Sequence, residues 1–318
     1  MLANFILEQD SISMDHTGNA RDKKLALKCF VKTWQKFGIL VTTPKGKDII
    51  LNELKKNPST LEFLKNISKS QINLCEDNVF DGFYENEPSH LRYKSLTSLA
   101  LVTELTAIDK GLNDDSEFSI LSDDIEITPI QNFDQSNVIN STAENQVSTI
   151  SQGTRTSTIW EERFSPLEKC FKKWVIVDRY AGINIFDNSR KSGLQNIIEK
   201  LNNGSTSHTL EIFTAHQENQ KIEEIVDRIQ HFACPNIKLK NIIIHMGPDS
   251  IFPNNAHDRY IRHEHFVTYI GIGVSIFSGE TCNQRSSISF TLSPRNFSES
   301  LSTEQHLREK SETEKLQF

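Results

Sequence analysis

Short apolar runs of strand length alternate with segments of helical spacing through the second half of the chain, and this alternation restricts its fold most. The apolar runs predict strands at 175–177, 210–213 and 242–244. The segments of helical spacing predict helices at 160–173, 192–201 and 218–232. Beyond residue 257 the pattern predicts strands alone, at 259–261, 266–272 and 287–292. Alternation at this spacing predicts an α/β domain over 159–297, with helices on the faces of a sheet and an antiparallel edge.

The first 110 residues carry mostly helical patterns. Apolar residues recur at helical spacing over 21–37, and shorter helices are predicted at 47–56 and 60–68, with one strand at 39–43. We therefore expect a mainly helical N-terminal region over 1–110. The first of these helices carries several lysines away from its apolar face, which favours an ordinary solvated face over the alternative of a DNA- or membrane-binding helix.

The middle of the chain differs in charge. Residues 111–150 contain no Lys or Arg but eight acidic side chains, and Ser, Thr, Asn and Gln dominate from 131 to 158. Such a stretch buries too little apolar surface to offset the entropy lost on ordering, so an acidic linker or long loop is predicted over 111–158. The end of the chain, 298–318, is polar and charged, which predicts a frayed or helical tail.

Composition excludes several classes of protein. Lys and Arg number 35 against 42 Asp and Glu, a net charge of −7, so the whole chain is not a basic nucleic-acid binder, while a local phosphate site is compatible with that charge. Five scattered cysteines without a Cys-x-x-Cys pair indicate free thiols. No apolar run approaches the roughly 20 residues of a membrane helix, and the N-terminus lacks the pattern of a secretion signal. We expect a cytoplasmic protein without a transmembrane segment, and no cofactor is predicted.

One polar segment suggests chemistry. If residues 256–261 are extended, period-two alternation puts His257 and Arg259 on one face of the strand and Asp258 and Tyr260 on the other. An arginine fork matches phosphate oxygens, and a histidine can attack phosphorus or transfer protons near neutral pH. Three His-x-(Lys/Arg) triplets occur in the chain, so the triplet alone is weak evidence for a phosphate site.

The context of this triplet resembles the phospholipase D superfamily, whose motif is His-x-Lys, four residues, Asp, six residues and Gly-Ser. His257-x-Arg259 is followed after four residues by Glu264 and after six more by Gly271, so Arg replaces Lys, Glu replaces Asp, and the serine is missing. The resemblance is closest to the phospholipase D-like C-terminal domain of MIT-domain-containing proteins. It covers about 159–297, and the segments that carry it are 160–164, 175–180, 257–261 and 271–273.

The resemblance implies a phospholipase D-like mixed sheet with flanking helices and a site for phosphodiesters. In catalytic relatives two such motifs meet, one His attacking phosphorus and the other protonating the leaving oxygen. A single motif then implies a homodimer, and we expect a nuclease-like phosphodiesterase, by analogy in microbial antiviral defence. The alternative is a non-catalytic module that binds phosphate or a partner protein, with the N-terminal region as the interaction arm. The predicted site has His257, Arg259 and Glu264 as its candidate catalytic residues, and as phosphate-supporting positions Gly271, Gly273, Ser275 and Asp178.

Several of these residues also have simpler interpretations. His257 can start an edge strand with solvated neighbours, and Asp178 can cap a loop. A metal site made of His263, His265, Cys282 and His257 is disfavoured because their spacings match no standard zinc scheme.

Overall fold

The chain forms two compact units in a computed structural model, Met1–Glu144 and Asn145–Phe318. Each unit combines a β-sheet with helices, so the α/β class is confirmed for the chain. The residues that the structure describes are 2–13, 20–65, 67, 71–75, 97–109, 111–112, 119–122, 124–182, 185–186, 190–204, 207–216, 221–232, 239–252, 259–291 and 293–317.

The first unit is built on a six-stranded sheet. Its strands are β1 (Ala3–Leu7), β2 (Gly38–Thr42), β3 (Ile72–Leu74), β4 (Leu99–Val102), β5 (Ile120–Ser122) and β6 (Ile125–Pro129). They lie in the order β3-β2-β1-β4-β6-β5, with parallel neighbours except for the antiparallel pair β5 and β6. The side chains of β2, β4 and β6 are buried throughout, as expected for parallel strands covered on both faces.

The described residues of this unit form five α-helices, and aromatic packing joins the first of them to β1. They are α1 (Ala20–Phe37), α2 (Pro44–Lys55), α3 (Pro58–Leu64), α4 (Glu104–Asp109) and α5 (Asn137–Glu144). The rings of Phe30 and Trp34 on α1 lie edge-on to Phe5, with ring centroids 6.0 and 5.8 Å away. Such edge-to-face pairs are favourable beyond the area they bury, and they fix α1 against the sheet.

The mainly helical region expected over 1–110 is corrected by the structure. The predicted helices and the predicted strand are present as α1, α2, α3 and β2, but β1 precedes them in the chain, and β3 and β4 follow them. Each added strand has three to five residues and pairs in parallel. Runs this short carry too little periodicity to separate them from helix.

The linker expected over 111–158 is also corrected. Its described part contains β5, β6 and α5, and Ile125, Ile127 and Phe133 are buried in the first unit. The acidic side chain of Glu126 is buried as well, where its two carboxylate oxygens accept hydrogen bonds from the Asn137 and Val138 amides at the start of α5, at 2.7 and 2.8 Å. An acid that caps a helix N-terminus contributes to folding instead of opposing it.

The second unit is built on an eight-stranded sheet. Its strands are β7 (Val147–Ile150), β8 (Lys173–Val177), β9 (His208–Ala215), β10 (Leu239–Gly247), β11 (Tyr260–His263), β12 (Phe266–Ile270), β13 (Ser286–Thr291) and β14 (Glu312–Gln317). They lie in the order β14-β10-β9-β8-β11-β12-β13-β7. β8, β9 and β10 are parallel, and the other neighbours are antiparallel, which agrees with the predicted sheet and its antiparallel edge.

The second unit contains five α-helices among its described residues, and two of them connect its parallel strands. The five are α6 (Thr156–Arg163), α7 (Ser165–Cys170), α8 (Gly193–Asn202), α9 (Ile222–Phe232) and α10 (Pro294–Lys310). α8 lies between β8 and β9 in the chain, and α9 lies between β9 and β10, as the alternation predicts. The single helix expected over 160–173 is two helices, because Pro166 fits the first turn of α7 but not a helix interior.

Two boundaries of the second unit differ from the prediction. The unit begins before residue 159, because β7 pairs with β13. The segment 298–318 is helical in its first part, as α10, but β14 follows and pairs with β10 over six residues. The end of the chain is therefore part of the sheet and is not a frayed tail.

Among the helices in the described part of the chain, none combines the length and apolar character that crossing a bilayer requires.

Candidate functional site

Asp178 follows β8 directly and anchors two loops. The apolar run of β8 makes it a buried central strand, and the chain leaves the sheet at Asp178, whose amide still donates to the Phe213 carbonyl at 3.1 Å. The buried carboxylate accepts hydrogen bonds from the Tyr180 amide at Oδ1 (2.9 Å) and the Val274 amide at Oδ2 (2.8 Å). Asp178 therefore fixes its own loop and the loop after β12 at one end of the sheet.

Arg259 reaches the same place from the neighbouring strand. β11 is antiparallel to β8 with Tyr260 opposite Val177, so the residue before β11 lies beside the residue after β8. The Arg259 Nε atom is 3.9 Å from Asp178 Oδ1, and Nη1 donates a long hydrogen bond of 3.4 Å to the Gly271 carbonyl. The side chain stays 27% exposed. Its guanidinium is thus held at two points and remains open to solvent.

The turn after β12 leaves room for this contact because Gly273 carries no side chain. Its φ of +65° lies in the left-handed region, and an added Cβ would stand 2.0 Å from Asp178 Oδ2 and 2.9 Å from Arg259 Cδ. Gly271 packs against β13, where its amide donates to the Ser287 carbonyl at 3.0 Å. The structure therefore brings Asp178, Arg259, Gly271 and Gly273 together.

Ser275 lies in the same turn, but its hydroxyl donates to the Ile272 carbonyl at 2.6 Å. It stabilises the turn, as hydroxyls commonly do in such segments.

Tyr180 and Arg179, which the predicted site did not include, lie in the same part of the fold as Arg259. The Tyr180 ring, 40% exposed, lies under Arg259 with 4.8 Å from the guanidinium carbon to the ring centroid. The Arg179 guanidinium is 5.6 Å from the same ring, and its Nε atom lies 3.5 Å from Asp249 Oδ1. A polar triplet placed directly after a buried strand, Asp178-Arg-Tyr180, is the sequence signal that could have identified them.

The electrostatics of this cluster favour an anion near Arg259. Burial raises the pKa of the Asp178 carboxyl above its usual range, against the lowering effect of the Tyr180 and Val274 amides and of the Arg259 and Arg179 charges. The Asp178 carboxylate stays 3.9 Å from Arg259 Nε, so it does not occupy the hydrogen-bond donors of the guanidinium. A partly exposed arginine with a distant carboxylate can accept the two oxygens of a phosphate group.

Glu264 does not join this cluster. It occupies the turn between β11 and β12 with φ of +50°, and its carbonyl accepts a hydrogen bond from Arg262 Nη1 at 2.7 Å. The four residues of β11 separate it from Arg259, a distance of about 16 Å at the rise of an extended chain. The expectation that Glu264 supports the site is therefore corrected by the strand geometry.

The remaining predicted residue, His257, lies outside the described residues.

Three of the four candidate ligands of the disfavoured metal site, His263, His265 and Cys282, are among the described residues, and they do not form a metal site. His263 is fully buried and lies edge-on to Trp174, with ring centroids 4.0 Å apart. His265 contacts the Phe297 ring, and the Cys282 thiol donates to the Gln284 carbonyl. In the part of the chain that the structure describes, no group of three or more potential ligands is arranged to hold a metal ion.

Comparison with known proteins adds no family to this geometry. No model of a known protein family matches the chain, and no curated protein matches it. The resemblance to the phospholipase D superfamily therefore remains a prediction from the segments around Asp178, Arg259 and Gly271.

Proposed function

We propose that the second unit recognises phosphodiesters of nucleic acid at a site built on Arg259, together with His257, two residues earlier in the sequence. The observation that carries the proposal is the Arg259 guanidinium, 27% exposed and held above the Tyr180 ring while its nearest carboxylate oxygen stays 3.9 Å away. An arginine whose acceptors are this distant has donors left for phosphate oxygens, and a planar fork binds them in pairs.

The enzymatic form of this proposal follows from the resemblance and is a nuclease-like phosphodiesterase with a phospholipase D-like fold. A ring nitrogen of His257 attacks phosphorus, and the bond from phosphorus to the leaving oxygen breaks. The His257 of a second copy gives that oxygen its proton, and water then releases the phosphate from the phosphohistidine. Because the chain offers one such motif, this form requires a homodimer, and defence against mobile DNA is the role that family analogy suggests.

The second candidate is a binding module without hydrolysis, and the place of Glu264 favours it. Glu264, the acid of the predicted motif, lies beyond the far end of β11 in this chain, where it cannot orient a group next to Arg259. In this form Arg259 holds phosphate, and the first unit serves as the arm that contacts a protein partner.

One set of variants tests both forms in the full-length chain. Binding of a labelled single-stranded oligonucleotide is measured by fluorescence anisotropy, its cleavage on denaturing gels, and the mass of the protein by light scattering. We expect Arg259→Gln to weaken binding about tenfold or more, because a charged hydrogen bond is lost. Arg295→Gln is the matched control, since Arg295 is 85% exposed on α10 and pairs only within its helix, with Glu299.

The outcomes separate the two forms. A dimer that cleaves the oligonucleotide, and loses cleavage but not binding in His257→Ala, supports the enzyme. Binding without cleavage that Arg259→Gln abolishes supports the module. Wild-type protein that does not bind, or equal binding by Arg259→Gln and Arg295→Gln, would contradict the proposal.

A further inference from the structure

A row of lysines on α1, in the first unit, forms a basic surface on an otherwise acidic chain. Residues 20–37 contain six Lys and Arg side chains against one acid, whereas the whole chain has a net charge of −7. Lys24, Lys28 and Lys32 recur every four residues, so they follow one side of the helix at steps of about 6 Å. We call these three residues the lysine row.

The packing of α1 leaves the lysine row facing away from the core. Phe30 and Trp34 are fully buried on another side of the helix, while Lys24 and Lys32 are exposed and Lys28 is half-buried. This arrangement is fixed by the fold, because the aromatic contacts of α1 with β1 allow no rotation of the helix about its axis.

An aromatic ring lies between the lysines. Phe63 on α3 is half-buried, and the Nζ atoms of Lys28 and Lys32 stand 5.9 and 5.1 Å from its ring centroid. Two cations drawn to one ring form a compact pair of positive charges instead of two independently moving side chains. α1 has six basic side chains and one acid, Asp22, while α3 has one acid, Glu62, and no basic side chain, so the two helices together have a net charge of +4.

We propose that the lysine row binds the phosphate backbone of nucleic acid, as a contact separate from the Arg259 site. Lys24 and Lys32 are about 12 Å apart along the helix, so the three ammonium groups can each contact a phosphate of one backbone. Three ammonium groups at this spacing neutralise several phosphates and release their counterions. The ring of Phe63 adds a surface for contact with a base or sugar.

A membrane surface is the less suitable partner for the same charges. A helix that binds a bilayer inserts its apolar face between the lipids, but the apolar face of α1 is buried in the core of the first unit. A lipid surface could therefore contact α1 only through the charges of its lysines.

The test is the salt dependence of binding by the full-length chain. Anisotropy of a labelled single-stranded oligonucleotide is titrated at increasing potassium chloride, for wild type and for K24Q/K28Q/K32Q, in which glutamine keeps the helix propensity of lysine. We expect the variant to bind at least about tenfold more weakly at low salt and to lose about 2 units of the slope of log K against log salt. The control is K45Q/K55Q/K56Q, which changes the net charge equally on exposed positions of α2 and its end.

Each result decides the proposal. Loss of affinity and slope in the lysine-row variant alone supports it, and the same loss in an Arg259→Gln background shows a contact independent of that site. Equal losses in both lysine triples would reduce the effect to net charge and overturn the proposal. Unchanged slope in the lysine-row variant would also overturn it, as would binding that depends on the lysine row for phosphatidylserine vesicles but not for the oligonucleotide.

Discussion

Arg259 and Arg262 lie three residues apart at β11, and they differ in how their guanidinium groups are satisfied. Arg262 meets Glu304 of α10 through two hydrogen bonds, with 2.6 Å between Nη2 and Oε2, and both side chains are buried. Arg259 stands 3.9 Å from Asp178 and remains 27% exposed. The comparison shows that residue type does not decide the role: an arginine with a complete acceptor pair fixes the fold, and one with distant acceptors can hold a ligand.

The largest loss of stability is expected when the buried ion pair of Arg262 with Glu304 is broken. Glu304→Leu leaves the Arg262 charge buried without its partner, so the free energy of unfolding in urea should fall by about 3–5 kcal/mol. The double variant Arg262→Met/Glu304→Leu removes the stranded charge and should recover most of that loss. Arg259→Ala should cost less than about 1 kcal/mol, because that pair is long and partly solvated. If Glu304→Leu cost no more than Arg259→Ala, the contrast between the two arginines would be wrong.

His263, the residue after Arg262 in β11, makes the stability of the protein depend on pH. His263 is fully buried against Trp174 and Phe171, and neither ring nitrogen has a hydrogen-bond partner among the described residues. Burial, together with the Arg262 and His208 charges, holds the pKa of the imidazole well below its usual range. Below about pH 6.5 the His263 imidazole therefore binds a proton in the unfolded chain but stays neutral in the folded chain.

Stability should accordingly fall with acidification, by up to about 1.4 kcal/mol per pH unit below about pH 6.5. His263→Phe keeps a ring against Trp174 and removes the titrating group, so the difference in unfolding free energy between wild type and variant should change with pH. Urea denaturation at a series of pH values measures it. Parallel curves for the two proteins between about pH 7 and 5 would show that His263 is not held neutral by the fold.

The second unit could be predicted further from the sequence than the first, for a physical reason. α8 and α9 each have a strong apolar face, and β9 and β10 are bounded by polar segments, so the two periodicities separate helix from strand. In the first unit β4 is a four-residue run buried on both faces, and such a run carries no period at all.

The candidate site shows the same limit. Asp178 and Arg259 are 81 positions apart in the chain, and only the register of β8 with β11 brings them together. Glu264 was expected beside Arg259 because it is close in sequence, but an extended strand separates residues that a turn would have joined. The spacing of the motif in the sequence therefore did not predict which of its residues lie close together in the fold.

Tyr180 gives the smallest expected effect and the closest test of how Arg259 is positioned. The exposed ring holds the guanidinium at 4.8 Å, and a cation–π contact at an exposed position contributes about 0.5–1 kcal/mol. Tyr180→Leu should therefore weaken oligonucleotide binding about 2- to 5-fold, while Tyr180→Phe, which keeps the ring, should bind as the wild type does. Unfolding free energies should stay within about 0.5 kcal/mol for both, since the side chain is 40% exposed. Equal weakening by both variants would assign the effect to the hydroxyl. Wild-type binding by Tyr180→Leu would mean that the Gly271 carbonyl and Asp178 position Arg259 without the ring, so that polar contacts alone hold this arginine in place.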